Sequence, residues 1–175
     1  MAAIADHLQG VDDIEVGVVI SDREGAAGLE KAASRGIPTR VIDWGSFPDR
    51  PAFTSAVCDA IEEAGCGLVV LAGFMRILSP EAVQRFPDRI VNIHPSLLPS
   101  FPGAHAVEEA LSHGVEWTGV TIHIVDELVD HGPILRQEPI RIEADDTVAS
   151  LHARIQAVEH RIYPETVVDI ARRLP

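Results

Sequence analysis

The sequence predicts an α/β fold built on a doubly wound, mostly parallel sheet, and three observations predict it. Apolar runs of strand length alternate along the chain with segments of helical period, the pattern of repeated strand–helix–strand units. The 175 residues, 46% of them hydrophobic, are enough to close one buried core, which excludes disordered and collagen-like classes. No repeat, low-complexity tract or Gly/Ser/Pro-rich linker divides them, so residues 1–175 read as a single domain.

In order, residues 1–9 place Met1, Ile4, Ala5 and Leu8 at helical spacing, so the chain opens on a helix. Strand-length apolar runs follow at Glu15–Ile20, Thr39–Ile42, Leu68–Leu71 and Ile90–Ile93. Segments of helical period lie between and after them, near Gly28–Ser34, Ala52–Glu63, Pro80–Phe86 and Ala104–Ser112. Two further strands, Gly119–Val125 and Pro133–Ile142, are joined through Val129-Asp-His-Gly-Pro133 and read as an antiparallel or twisted extension. The last helix starts near Thr147, where Asp145, Asp146 and Thr147 offer capping oxygens, and runs to about Arg173 with an interruption expected at Pro164.

Charge narrows the function classes. With 14 Lys+Arg against 27 Asp+Glu, the net charge is −13, so a nucleic-acid-binding surface is not expected. Lys31 is the only lysine and the arginines are scattered, which argues against a polybasic membrane patch. No apolar stretch reaches the roughly 18 residues of a membrane span. The opening Met1–Leu8 carries Asp6 and His7 and has no basic flank, unlike a signal peptide. Cys58 and Cys66 lack the density or spacing of a disulfide or zinc framework. Together these point to a cytoplasmic protein.

The densest stretch of candidate chemistry is Ile90-Val-Asn92-Ile-His94-Pro95-Ser96-Leu-Leu-Pro99, where an apolar strand enters a proline-punctuated loop. Asn92 and His94 are two apart on an extended strand and so share a face. An amide donor beside an imidazole can hold a carbonyl oxygen while the imidazole moves a proton; in isolation the same pair can simply satisfy a turn. A second constellation, Gly119-Val-Thr121-Ile-His123 followed by Asp126, Glu127, Asp130 and His131, ends in a Gly132-Pro133 turn. A carboxylate from that loop folded against His94 would favour the imidazolium, and Asp130 is the candidate because the chain tightens just after it. The alternative is a solvated acidic loop.

Other chemistries are less well supported. His94, His105, His123 and His131 show no metal-ligand spacing, so no metal is expected. Ser96 lies in no Gly-x-Ser-x-Gly elbow, and neither cysteine has a local activating partner. There is no phosphate-binding Gly-x-x-x-x-Gly-Lys and no Gly-x-Gly-x-x-Gly after a strand.

Four ordered motifs carry a resemblance: Leu71-Ala-Gly-Phe-Met-Arg-Ile-Leu-Ser-Pro80, Asn92-Ile-His-Pro-Ser-Leu-Leu-Pro99, Gly119-Val-Thr-Ile-His123 with Asp130-His-Gly-Pro133, and Glu159-His-Arg-Ile-Tyr-Pro164. Together they resemble the phosphoribosylglycinamide formyltransferases, folate-dependent transformylases of purine biosynthesis, over about Val18 to Pro164. The resemblance implies a Rossmann-like formyltransferase fold. It implies formyl transfer from 10-formyltetrahydrofolate, a cosubstrate, to the amine of glycinamide ribonucleotide, without metal, nucleic acid or membrane, in a monomer or homodimer. It further implies that His94 is the general acid/base, that Asn92 stabilises the oxyanion and that Asp130 holds His94.

For the folate, the resemblance points to Arg50, to Met75, Arg76, Ile77 and Leu78 lining the pterin pocket, and to Asn92 with the loop Asp126, Glu127, Leu128, Val129 and Asp130. Met75, Ile77 and Leu78 would otherwise be plain core, and Arg50 a solvated loop residue. For the ribonucleotide it points to Gln156, Ala157, Val158 and Glu159, the last of which would otherwise be an exposed carboxylate paired with Arg161 or His160. Thr121 and His123 are expected to back the site.

The sequence departs from the family at the front, where the usual first strand and the phosphate-holding Gly/Ser/Asn loop have no counterpart. That departure predicts weakened ribonucleotide binding. The rival expectations are a formyltetrahydrofolate deformylase, in which water accepts the formyl group, and a folate-binding remnant. A methionyl-tRNA formyltransferase would need a C-terminal barrel and a basic surface.

Overall fold

The computed structural model describes residues 1–174. Its elements are α1 (Ala2–Leu8), β1 (Val19–Ser21), α2 (Ala27–Ala33), β2 (Thr39–Val41), a 3-10 turn (Trp44–Ser46), α3 (Arg50–Glu63), β3 (Val69–Leu71), α4 (Pro80–Arg85), β4 (Ile90–His94), α5 (Ala106–His113), β5 (Trp117–Ile124), β6 (Ile134–Arg141) and α6 (Val148–Ala171). Every expected element is present, and the alternation of strands with helices confirms the α/β class. The first strand is shorter than the apolar run at Glu15–Ile20 suggests, pairing only over Val19–Ser21.

β1 and β2 form a parallel pair, and β3, β4, β5 and β6 form a second sheet in that order. The β3–β4 pairing is parallel, whereas β4–β5 and β5–β6 are antiparallel. The antiparallel portion expected for the last two strands therefore begins one strand earlier, at β4. That strand is covered on both faces, as its side-chain alternation requires. Ile90 packs with Phe53, Val57 and Ile61 of α3, while the next residue, Val91, packs with Leu151, Ile155 and Ile162 of α6.

Local chemistry starts the two longest helices. Asp49 caps α3 by accepting the Ala52 N–H at 2.9 Å, with Pro51 in the first turn. Thr147 and Ser150 cap α6 reciprocally, each side chain accepting from the other's backbone N–H. The expected interruption at Pro164 is overturned: α6 runs through it without a break. A mid-helix proline costs about 3 kcal/mol. Here it is buried among Ile162, Tyr163, Thr166 and Val167, whose packing holds the helix on the sheet. The Tyr163 hydroxyl, 2.8 Å from the Leu71 carbonyl and 3.0 Å from that of Val91, ties this turn of α6 to β3 and β4.

Candidate active site

Asn92 and His94 project from the C-terminal end of β4, where the antiparallel register sets Asn92 opposite His123 and His94 opposite Thr121 on β5. The His94 side chain is buried, and each of its nitrogens faces an acceptor. Nε2 lies 2.8 Å from the Phe101 carbonyl and Nδ1 lies 3.3 Å from Asp130 Oδ2. A carbonyl oxygen only accepts, so Nε2 carries a proton in every state, and Nδ1 is the nitrogen left to gain or lose one.

Asp130 sits at the centre of the cluster. Its Oδ2 also accepts the Gly103 N–H at 2.8 Å, and its Oδ1 lies 3.4 Å from Asn92 Nδ2. Burial opposes the carboxylate's charge most strongly. The hydrogen bonds and positive charge of its surroundings, the Gly103 N–H among them, outweigh it and hold the pKa of Asp130 below the usual carboxylate value. Asp130 adopts φ 51°, a left-handed conformation that Asp tolerates better than most residues. In that conformation its side chain turns back from the end of β5 toward β4.

The loop that supplies the Phe101 carbonyl is braced from β5 and β6. The Thr121 hydroxyl donates to the Ser96 carbonyl at 2.7 Å and accepts the Leu98 N–H at 3.0 Å. Gln137 donates to Thr121 Oγ1 and to the Leu98 carbonyl, both at 2.9 Å. Phe101 itself has φ 53°, unfavourable for a bulky side chain by about 1–3 kcal/mol and held by this network.

The other anticipated residues fall into separate groups. Met75 and Ile77 are exposed, at 82% and 57%, which rules out the plain-core alternative for these two, whereas Leu78 packs against the cluster around α3. Arg76 pairs with Asp22 at 2.7 Å and lies over the Trp44 ring. Arg50 opens α3 on the surface and makes no hydrogen bond or ion pair with the Asn92–His94–Asp130 cluster. In the 126–130 loop, Glu127, Leu128 and Val129 are exposed. Asp126 accepts the Leu128 N–H at 2.9 Å and pairs with His131 Nδ1 at 2.8 Å. These partners overcome the burial of Asp126 and lower its pKa.

On α6, Gln156 and Ala157 face outward and Val158 leans on the core. The Gln156 amide nitrogen lies 2.9 Å from His152 Nε2. Glu159 pairs with neither Arg161 nor His160. Arg161 binds Glu138, and burial raises the pKa of Glu159 against the pull of His152 and His160. Among the described residues no group of three His, Cys, Asp or Glu side chains is placed to hold a metal ion.

The sequence profile of the formyl transferase family matches residues 2–167. The chain belongs to the formyl transferase family. It is 42% identical over 170 residues to a phosphoribosylglycinamide formyltransferase of Mycobacterium tuberculosis, covering 97% of this chain and 76% of that enzyme. It is 46% identical over 157 residues to the human trifunctional purine biosynthetic protein adenosine-3; that match covers 90% of this chain and 16% of the human protein's length. Among solved structures, the glycinamide ribonucleotide transformylase 1 of Symbiobacterium toebii superposes with a TM-score of 0.92 at 45% identity, over 95% of this chain and 79% of that one. The Bacillus halodurans phosphoribosylglycinamide formyltransferase also gives 0.92, at 43% identity, over 98% of this chain and 89% of that one.

In this formyl transferase the structure adds partners that residue types alone do not reveal. The Phe101 carbonyl and the Gly103 N–H are backbone groups; the Phe101-Pro102-Gly103 turn is the sole sequence trace of a loop that folds back on the strand it leaves. His123, anticipated only as backing, contacts both Asn92 and Asp130, and its place directly opposite Asn92 follows from the β4–β5 register.

Proposed function

We propose that this chain transfers the formyl group of 10-formyltetrahydrofolate to the amine of glycinamide ribonucleotide, the reaction named by its relatives. The observation that carries the proposal is the convergence of an amide, an imidazole and a carboxylate, with Asn92 Nδ2 and His94 Nδ1 both within 3.4 Å of Asp130. The exposed apolar side chains of Met75, Ile77, Leu128 and Val129 support it, being suited to the faces of a folate ring. So does Glu159, a half-buried carboxylate with no hydrogen-bond or ion-pair partner among the described residues, which suits an amine-bearing acceptor.

In this reading the acceptor amine attacks the formyl carbon and negative charge develops on the formyl oxygen. Asn92 Nδ2–H and protonated Nδ1 of His94 stabilise that oxygen, and Asp130 stabilises the imidazolium. Collapse breaks the bond between the formyl carbon and the folate nitrogen. The proton lost by the amine ends on that nitrogen, relayed at His94 Nδ1, so the residues return to their starting state. The Phe101 carbonyl keeps the other nitrogen protonated, so the relay uses one nitrogen alone.

The test offers glycinamide ribonucleotide and water as rival acceptors for one formyl-folate pool. Formylated ribonucleotide as the main product is expected; release of formate at an unchanged rate with or without the ribonucleotide would overturn the proposal.

A further inference from the structure

Two histidines flank Asp130, and backbone carbonyls hold them in opposite tautomers. His94 gives its Nε2–H to Phe101, whereas His123, 1% exposed, places Nδ1 2.8 Å from the Ile124 carbonyl. That carbonyl can only accept, so Nδ1 of His123 carries a proton and Nε2 of the neutral ring presents a lone pair. The lone pair faces Asn92 Nδ2 at 3.3 Å. Asp130 Oδ1 stands 3.7 Å from the same Nε2, too far for a hydrogen bond that would draw a proton there.

We infer that His123 is a positioning residue whose Nε2 lone pair fixes which end of the Asn92 amide faces the reacting formyl group. A carboxamide is nearly symmetric in shape, and either end fits the space. Turned over, it would set its oxygen against the imidazole lone pair and the Asp130 carboxylate, two repulsive contacts instead of two attractive ones. His123 therefore takes one Nδ2 hydrogen. The second makes only a long 3.4 Å contact to Asp130, which leaves it able to be shared with a formyl oxygen placed beside it as charge grows there. The directly opposed strand positions keep this contact fixed without a loop.

The inference rests on the formyl-transfer reading, and two measurements on the full chain separate the two. Long-range 1H–15N correlation on histidine-labelled protein should give His123 a protonated Nδ1 and an unprotonated Nε2 near neutral pH; the opposite tautomer, or an imidazolium, overturns the inference whether or not the chain is active. In formyl-transfer assays, His123→Phe should lower kcat about 10- to 100-fold with KM for formyl-folate changed less than about twofold. His123→Gln, which restores an acceptor near Nε2, should recover part of that loss. In an Asn92→Ala background His123→Phe should change kcat by less than about twofold, because the group it orients is gone. Full additivity in that cycle overturns the inference. An inactive wild-type chain counts against formyl transfer, and the tautomer then decides the role of His123 alone.

Discussion

Asp130→Asn isolates the charge at the centre of the site, because the replacement keeps shape and tolerates the left-handed backbone. The Asn oxygen can still accept the Gly103 N–H, so the loop stays anchored while the negative charge 3.3 Å from His94 Nδ1 is removed. At that separation a unit-charge pair is worth about 5 kcal/mol at an effective dielectric of about 20 and about 1.3 kcal/mol in bulk water. The Asp130 side chain is 11% exposed, which places it between these limits. A transition-state loss of about 2.7–4 kcal/mol corresponds to a fall in kcat of about 10²- to 10³-fold. KM for formyl-folate should stay within about threefold. The assay is steady-state formyl transfer, followed by the change in ultraviolet absorbance as the folate loses its formyl group. A stability effect should accompany it with a definite sign. The folded-state pKa of Asp130 lies below its unfolded value, so the ionised carboxylate stabilises the fold above that value, and the benefit disappears as pH falls through the folded pKa. Asp130→Asn should therefore be less stable than the parent at pH 7 and indistinguishable from it in strong acid. A kcat reduced less than about fivefold at pH 7 would refute the role given to the charge.

Three further changes test other parts of the structure. At Gly132 a Cβ would collide with the Ile124 carbonyl, so Gly132→Ala must displace the loop that carries Asp130; a loss of about 2 kcal/mol, or about 4–8 °C in Tm by calorimetry, is expected together with reduced kcat, and an unchanged Tm would contradict it. Burial raises the folded-state pKa of Glu159 above its unfolded value, so the folded chain binds the extra proton between the two and stability falls as pH rises through that window; Glu159→Gln should raise Tm at pH 7 and leave it unchanged below about pH 4, where a rise at both or neither would refute the burial argument. Burial also pushes the Cys58 thiol up to about 11, so a disulfide reagent should label Cys58 in the native Cys66→Ser protein at least about 100-fold more slowly than in the urea-unfolded chain at pH 7.5, and rapid native labelling would count against that burial.

Much of this was legible in the sequence because periodicity reports what an element buries. Ile90 and Val91, adjacent in sequence, enter opposite cores, and the same period of two puts Asn92 and His94 on one face. Pro164 misleads because local propensity knows nothing of the buried surface that holds α6 straight. The extent of antiparallel pairing was hidden for a similar reason: apolar strands buried on both faces read alike whichever way their neighbours run.

The site divides along a different line. Side-chain chemistry is written in residue types, so an amide, an imidazole and a following carboxylate can be proposed as partners before any fold is known. Which tautomer each imidazole adopts is decided by the carbonyls of Phe101 and Ile124, groups that every residue possesses and no composition distinguishes. Bringing Asp130 to His94 likewise depends on a backbone reversal. The antiparallel β5 ends opposite Val91, so the loop beyond it has to return along β4, which it does through the left-handed Asp130 and the close approach of Gly132 to Ile124. The proposed catalytic roles thus follow from side-chain identity only after backbone geometry has assigned each proton to one atom.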